Sequence, residues 1–344
     1  EHRLAKANVA SSNLVSRSSI PIACAIGYFF DILPLFKTCF TCIKRIKRFI
    51  VRKLFIVKKL FIFFLLILMS ISTGVPPAAA EAEAASPEVA VPILMYHKIL
   101  PDDIRSRYAV TPEQLEEDFL FLLKNGYRAV FVSDLVKFVK GEGKLPEKPV
   151  VITFDDGHYN NLHYALPIAK KTNTKMVFNI IGAFSDHSTN SGDHSNIYYS
   201  HLTWQQIKQL SDTGLVEIGS HSWNMHNYKP RLGARPVKGE SAEDYIRALR
   251  ADFSALQKAL TDKCNVIPKV FAYPFGEYTP ECDKVLLEMG FEAMLTSNAG
   301  INVLRVGDTQ KLYKLKRFNR ESYYTSEQVV QLAGGEITVE GQAG

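Results

Sequence analysis

Four short stretches of this 344-residue chain place reactive side chains where apolar runs end: MYHKI with His97, TFDDG with Asp155 and Asp156, HSWNMH with His221 and His226, and AYPFG with Phe275. The aspartate pair poses the sharpest question. Val150 to Phe154 reads as a buried strand, and successive strand side chains point to opposite faces. Two adjacent carboxylates also repel each other and resist leaving water. A divalent cation resolves the conflict: one carboxylate coordinates it, and the other accepts a proton from an attacking water. The residues alone leave open which aspartate does which. Two neutral imidazoles with one carboxylate form an open ligand set for zinc or a similar ion, and His221 and His226 supply the imidazoles.

Spacing constrains the local structure. Residues five apart on an ideal helix differ by about 140° around its axis and cannot share an ion. The segment from His221 to His226 is therefore expected to be a bent loop. In AYPFG, Pro274 and Gly276 fix a turn that could aim a backbone N–H into the cleft, although such a sequence also makes ordinary turns. His97, just beyond an apolar run, is either a structural histidine or a catalytic one. All nine histidines lie at or before position 226, so no late-chain histidine can serve as an acid.

Alternating elements must carry these motifs. Strand-like runs occur at VPILMY (91–96), RAVFV, VVITF (150–154), MVFNIIG (176–182), VEIGS (216–220), KVFAYP (269–274), FEAMLTS (291–297) and YKLKRF (313–318). Helical patterns lie between them, including PEQLEEDFLFLLKNG (112–126), a helix with Ser133 as its cap, and the long SAEDYIRALRADFSALQKALTD. This alternation predicts an α/β fold, a distorted (β/α) barrel of about seven parallel strands; an open doubly wound sheet is the alternative. Both place chemistry at the carboxyl ends of strands, where the motifs lie. The polar stretch SDHSTNSGDHSN (185–196) reads as a surface insertion with solvated His187 and His194.

Charge divides the chain. Residues 1–80 hold 12 Lys and Arg against 2 Asp and Glu, whereas the remainder holds 29 against 33. The globular part is mildly acidic and has no basic stripe for nucleic acid. In the head, KRIKRFIVRKLFIVKK precedes the apolar LFIFFLLILMSIS and the small residues of TGVPPAAAEAEAA, the order of a secretory signal peptide. Cleavage is expected after Ala80, with an uncleaved membrane anchor as the alternative; residues 1–43 have no assignment. The organisation is thus a leader (1–80), a linker (81–90) and one catalytic domain (91–335), secreted or anchored outside the cytoplasm. The domain is expected to be a monomer that meets the membrane only through its head. Cys264 and Cys282, the cysteines beyond the head, either pair or remain small hydrophobes.

Together the motifs resemble the polysaccharide deacetylases of carbohydrate esterase family 4, the NodB-homology domain, over roughly Val91 to Phe318. TFDDG is similar to the family's first motif, which implies Asp155 as base and Asp156 as metal ligand. HSWNMH carries one residue more than the usual H-[ST]-x-x-H and is similar to the branch that deacetylates poly-N-acetylglucosamine; it implies His221 and His226 as ligands. AYPFG departs from R-P-P-Y-G: Ala272 stands where an arginine that orients the base is expected, and Arg317 in LKRFNR is a candidate replacement. Phe275 takes the aromatic position whose N–H helps hold the oxyanion. The late L-x-H motif is absent, and His97 is similar to the early histidine that acts as general acid in the poly-N-acetylglucosamine branch.

The resemblance implies a hydrolase that uses a divalent ion, zinc first among them, to remove N-acetyl groups from an N-acetylglucosamine polymer such as poly-N-acetylglucosamine, peptidoglycan or chitin. Two other readings are a silent glycan-binding module of the same fold and a metal hydrolase of a small amide or ester. Tyr159, Tyr198, Tyr199, Trp204, Trp223 and Tyr278 are candidates for stacking on sugar rings or for core packing.

Overall fold

The computed structural model describes residues 88–101 and 106–336; the basic head and its cleavage point lie outside the described residues. In chain order the main sheet contains β1 (Ile93–Tyr96), β2 (Arg128–Ala129), β3 (Pro149–Phe154), β4 (Met176–Ile180), β5 (Val216–Ser220), β6 (Val270–Ala272), β7 (Ala293–Leu295) and β8 (Phe318–Asn319). Across the sheet the order is β7-β6-β5-β4-β3-β1-β8, with β2 against the start of β3, and every pairing is parallel. Seven strands thus curl into a distorted barrel. Phe318 and Asn319 pair with β1, and Leu315 of the same segment bridges to Leu295 of β7. One irregular stretch therefore touches both edges of the curled sheet. The pattern at 313–318 suggests a strand; instead Thr309–Lys314 is a 3₁₀ turn and only the end pairs as β8.

Alternation in β3 assigns its faces. Val150, Ile152 and Phe154 join the apolar layer under the helices, with Phe178 and Ile180 of β4. Burying each of these side chains contributes roughly 1.5–3 kcal/mol. Val151 packs in a separate cluster with Val177, Val270 and Ala272. Helix α1 (Pro112–Lys124) opens on a capping box in which Thr111 and Gln114 satisfy each other's backbone N–H. Helix α2 (Val132–Val139) joins the second cluster through Val132, Leu135, Val136 and Val139. Its N-terminus is not capped by Ser133. The carboxylate of Glu217 on β5 accepts from the backbone N–H of Val132 and Ser133 at 2.8 and 3.2 Å.

Helices α3 (Leu166–Thr172), α4 (Gly182–Ser191), α5 (Trp204–Asp212), α6 (Ala242–Cys264), α7 (Pro280–Glu288) and α8 (Ser326–Leu332) complete the chain. The polar stretch from Ser185 is thus helical through Ser191, with Ser185 and Ser188 buried, while His187 and His194 are exposed. The first strand also begins earlier than expected. Val89–Val91 pairs antiparallel with Asn302–Leu304, which draws the end of the supposed linker into the domain. Cys264 and Cys282 are buried and free. Among the described residues, no helix is long and apolar enough to cross a membrane.

Candidate active site

The motifs gather at the carboxyl ends of β1, β3, β5 and β6. Asp155 continues β3 and donates its N–H to the Tyr96 carbonyl of β1 at 3.0 Å. Asp156 then leaves strand geometry with φ at 70°. That turn reconciles the paired carboxylates with their strand, because it frees Asp156 from the alternation that would send the two apart. Ser222 (φ 69°) follows β5 and Phe275 (φ 57°) follows β6 in the same left-handed conformation. Such backbone costs of order 1–3 kcal/mol for a residue with a side chain and collects at functional sites. The other left-handed non-glycines among the described residues, Asn173 and Asn265, are ordinary helix C-caps.

Asp156 meets both histidines. Its Oδ1 lies 3.7 Å from His221 Nε2 and 3.4 Å from His226 Nε2. One ligand atom from each of the three residues falls within 4.8 Å of the others. The segment from His221 to His226 is an irregular loop, as its spacing requires. His221 Nδ1 is 2.8 Å from the Ala272 carbonyl. A carbonyl can only accept, so Nδ1 carries the proton and Nε2 keeps a bare lone pair toward Asp156. Burial pushes His221 below the ordinary imidazole value, which favours the neutral ligating form. Asp156 Oδ1 is buried and has no hydrogen-bond partner among the described residues. Two imidazole nitrogens and a buried, unsatisfied carboxylate oxygen fit a divalent cation.

Asp155 is held quite differently. Arg317, 1% exposed, forks onto it: Nη1 donates to Oδ1 and Nη2 to Oδ2, each at 2.8 Å. Its Nε donates to the Thr296 carbonyl at 2.8 Å, and Asn179 on β4 adds a 2.7 Å bond to Asp155 Oδ1. Burial alone would raise the Asp155 carboxyl; the Arg317 charge, followed by that of His221, holds it below the usual range. Arg317 thus supplies the guanidinium that Ala272 cannot. Gly219 makes room for the arrangement, since a Cβ there would stand 2.2 Å from Asn179 Oδ1.

His97 follows β1, and its Nδ1 is buried without a partner among the described residues. Burial lowers its pKa, with the Asp156 and Asp155 charges pulling the other way. Its ring meets exposed Tyr108 edge-on at 5.0 Å. Phe275 packs at 4.1 Å on the His226 ring and at 4.6 Å on Tyr228, which is 75% exposed.

The site also holds His158, the residue directly after TFDDG, which lines the groove rather than facing solvent. His158 Nε2 lies 3.4 Å from Asp156 Oδ2, and its ring stacks at 4.7 Å on His201. Burial would raise Asp156, and the His158 hydrogen bond and charge override it, holding the carboxyl well below its usual range. Among the aromatic candidates, Trp204 and Trp223 stack on each other at 6.2 Å, and Tyr278 covers buried Tyr273. Tyr198 and Tyr199 are exposed, and Tyr108 and Tyr228 join them as exposed rings outside the sequence candidates.

The polysaccharide deacetylase family model matches residues 142–294, a span that leaves out His97 and Arg317. The poly-beta-1,6-N-acetyl-D-glucosamine N-deacetylase of Escherichia coli K12 is 28% identical over 258 residues, 68% of this chain and 38% of that protein. Its Staphylococcus aureus MRSA252 counterpart is 26% identical over 200 residues, 56% of this chain and 64% of that protein. The chain therefore spans well under half of the first relative and just under two thirds of the second. Among solved structures, IcaB from Ammonifex degensii superposes with a TM-score of 0.58 at 26% identity, covering 71% of this chain and 97% of that one. A de-N-acetylase from Aggregatibacter actinomycetemcomitans gives 0.61 at 22% identity over 71% and 99%, a likeness of fold. The matched span, the relatives and the shared curled barrel converge on one likeness: residues 142–294 match the polysaccharide deacetylase family.

Proposed function

We propose that this domain is a metal-dependent hydrolase that removes N-acetyl groups from a poly-N-acetylglucosamine-type polysaccharide outside the cytoplasm. The observation that carries the reading is the separation of the two aspartates. Asp156 faces two imidazoles, whereas its neighbour is locked on a buried arginine. The relatives named for this polymer support the substrate class, and the signal-like head supports the location.

Asp156, His221 and His226 would hold a divalent ion, zinc being the ion best suited to two imidazoles and a carboxylate. Bound there, it would acidify the attacking water and polarise the acetyl carbonyl. Asp155 accepts the proton from that water. Arg317 keeps Asp155 ionised and ready, and together with Asn179 fixes both of its oxygens. The same pairing makes Asp155 a weak base, so the transfer depends on an acidified water. The Phe275 N–H, presented by a left-handed turn, donates to the oxyanion; one such donor is typically worth about 3–4 kcal/mol. His97 gives a proton to the departing amine, since an unprotonated amine leaves poorly. Acetate and a glucosamine unit are released.

Acetate release and loss of acetyl mass from β-1,6-linked N-acetylglucosamine oligomers, chitin oligomers and peptidoglycan test the reading. Cleavage of the β-1,6 oligomer above the other two is the expected result. Binding without acetate release from any of the three would make the domain a glycan-binding module instead.

A further inference from the structure

The ligands His221 and His226 lie on a loop that must bulge between them, and both internal and external bonds hold that bulge. The Ser222 hydroxyl accepts from the Met225 N–H at 3.0 Å. On one side, Gly182 and Ala183 at the start of α4 donate to the Ser222 and Trp223 carbonyls at 3.1 and 2.8 Å. A Cβ at Gly182 would stand 2.3 Å from the Trp223 ring, so loop and helix touch directly. On the other side stands a single carboxylate. Asp252 on α6 accepts the Trp223 N–H on Oδ1 at 2.7 Å and the Asn224 N–H on Oδ2 at 2.8 Å. Its helix is anchored around it by buried Leu249, Phe253 and Leu256. A rigid post thus grips two successive N–H groups midway between the histidines.

We propose that Asp252 is the positioning residue of the metal loop: by clamping the Trp223 and Asn224 N–H groups it sets how His221 and His226 converge, and thereby the affinity for a divalent cation. The inference rests on the metal reading above. An ionised carboxylate is the acceptor best suited to two convergent N–H donors. Burial raises the Asp252 carboxyl to about 6, which leaves it ionised at neutral pH. Partners that orient metal ligands from behind typically change metal affinity about 10–100-fold when removed.

The test is the zinc dissociation constant, measured by competition with a chromophoric chelator, for the full chain and three variants. Asp252→Ala should weaken zinc by about 10–100-fold. Asp252→Asn keeps the shape but turns an NH₂ toward one of the N–H donors; its affinity should fall between wild type and the alanine variant, and it supplies the answer if the alanine variant does not fold. Leu249→Ala destabilises the same helix but keeps the Asp252 carboxylate, so it should lower Tm and leave zinc affinity much nearer to wild type than Asp252→Ala does. Zinc bound equally well by the wild type and both Asp252 variants would overturn the inference, as would a Leu249→Ala loss matching that of Asp252→Ala. A wild-type chain that does not bind zinc would defeat the metal reading itself and this inference with it.

Discussion

Replacing Arg317 with methionine is the most revealing perturbation, because the guanidinium holds the carboxylate of Asp155, the proposed base, from within the core. It makes two 2.8 Å bonds to Asp155, one of 2.8 Å to the Thr296 carbonyl and one of 3.2 Å to the Thr153 hydroxyl. Methionine fills comparable volume but strips Asp155 of its cation and leaves Asn179 as a donor at 2.7 Å. Breaking a buried ion pair from one side costs about 3–5 kcal/mol, because a desolvated charge is left behind. At roughly 2–4 °C per kcal/mol for a domain of this size, Tm should fall by about 6–20 °C. The double variant Asp155→Asn/Arg317→Met removes both charges and should regain most of that loss. The pH dependence follows from the sign of the shift. Asp155 is depressed in the folded state, so its contribution is present above the unfolded carboxylate value of about 4 and lost as the pH falls further. The gap between wild type and Arg317→Met should therefore narrow below about pH 4. Urea unfolding of wild type, both single variants and the double variant measures the coupling. Additivity within about 0.5 kcal/mol would refute the pair as an energetic unit.

Other perturbations separate the roles at the site. Asp155→Asn should retain metal and lose most activity, whereas Asp156→Asn should lose metal; two variants that both keep metal equally and stay active, read by metal analysis and acetate release, would show both assignments to be wrong. His97→Ala should preserve metal content and slow amide cleavage by about 10²–10⁴-fold, while sparing an activated acetate ester whose leaving group needs no proton. Because burial lowers His97, the alkaline limb of the wild-type rate profile should fall at or below 6.5 and vanish in that variant. Gly219→Ala forces a Cβ against Asn179 and should cost about 1–3 kcal/mol in urea unfolding as well as slowing acetate release; wild-type stability and rate would show that Asn179 can move at no cost.

Much of this site is legible in the order of the amino acids, and the reasons are local. Apolar runs ending in TFDDG and HSWNMH place charged and ligating groups at strand ends, and helical geometry alone demands a bend between His221 and His226. Arg317 stands out only as a candidate, because its partner lies 162 residues away and the two meet only where the curled sheet draws together at β8. The alternation in YKLKRF resembles a strand, yet the segment must turn from β7 to β1: Tyr313 and Lys314 end a 3₁₀ turn, Leu315 makes a single bridge to β7, and only Phe318 enters β8. Ser133 has the propensity of a cap, but a carboxylate from β5 occupies that role. Asn179 carries a usable signal as the lone polar residue in MVFNI. Asp252 carries none, since an aspartate on an amphipathic helix ordinarily faces water.

The proposed deacetylation stands or falls with a metal centre at Asp156, His221 and His226. Acetate release from a β-1,6-linked N-acetylglucosamine oligomer, followed before chelation, after chelation and after zinc is restored, tests that centre most directly. The expected result is loss on chelation, recovery with zinc in the wild type, and no recovery in Asp156→Asn. Undiminished acetate release from the fully chelated protein would contradict it.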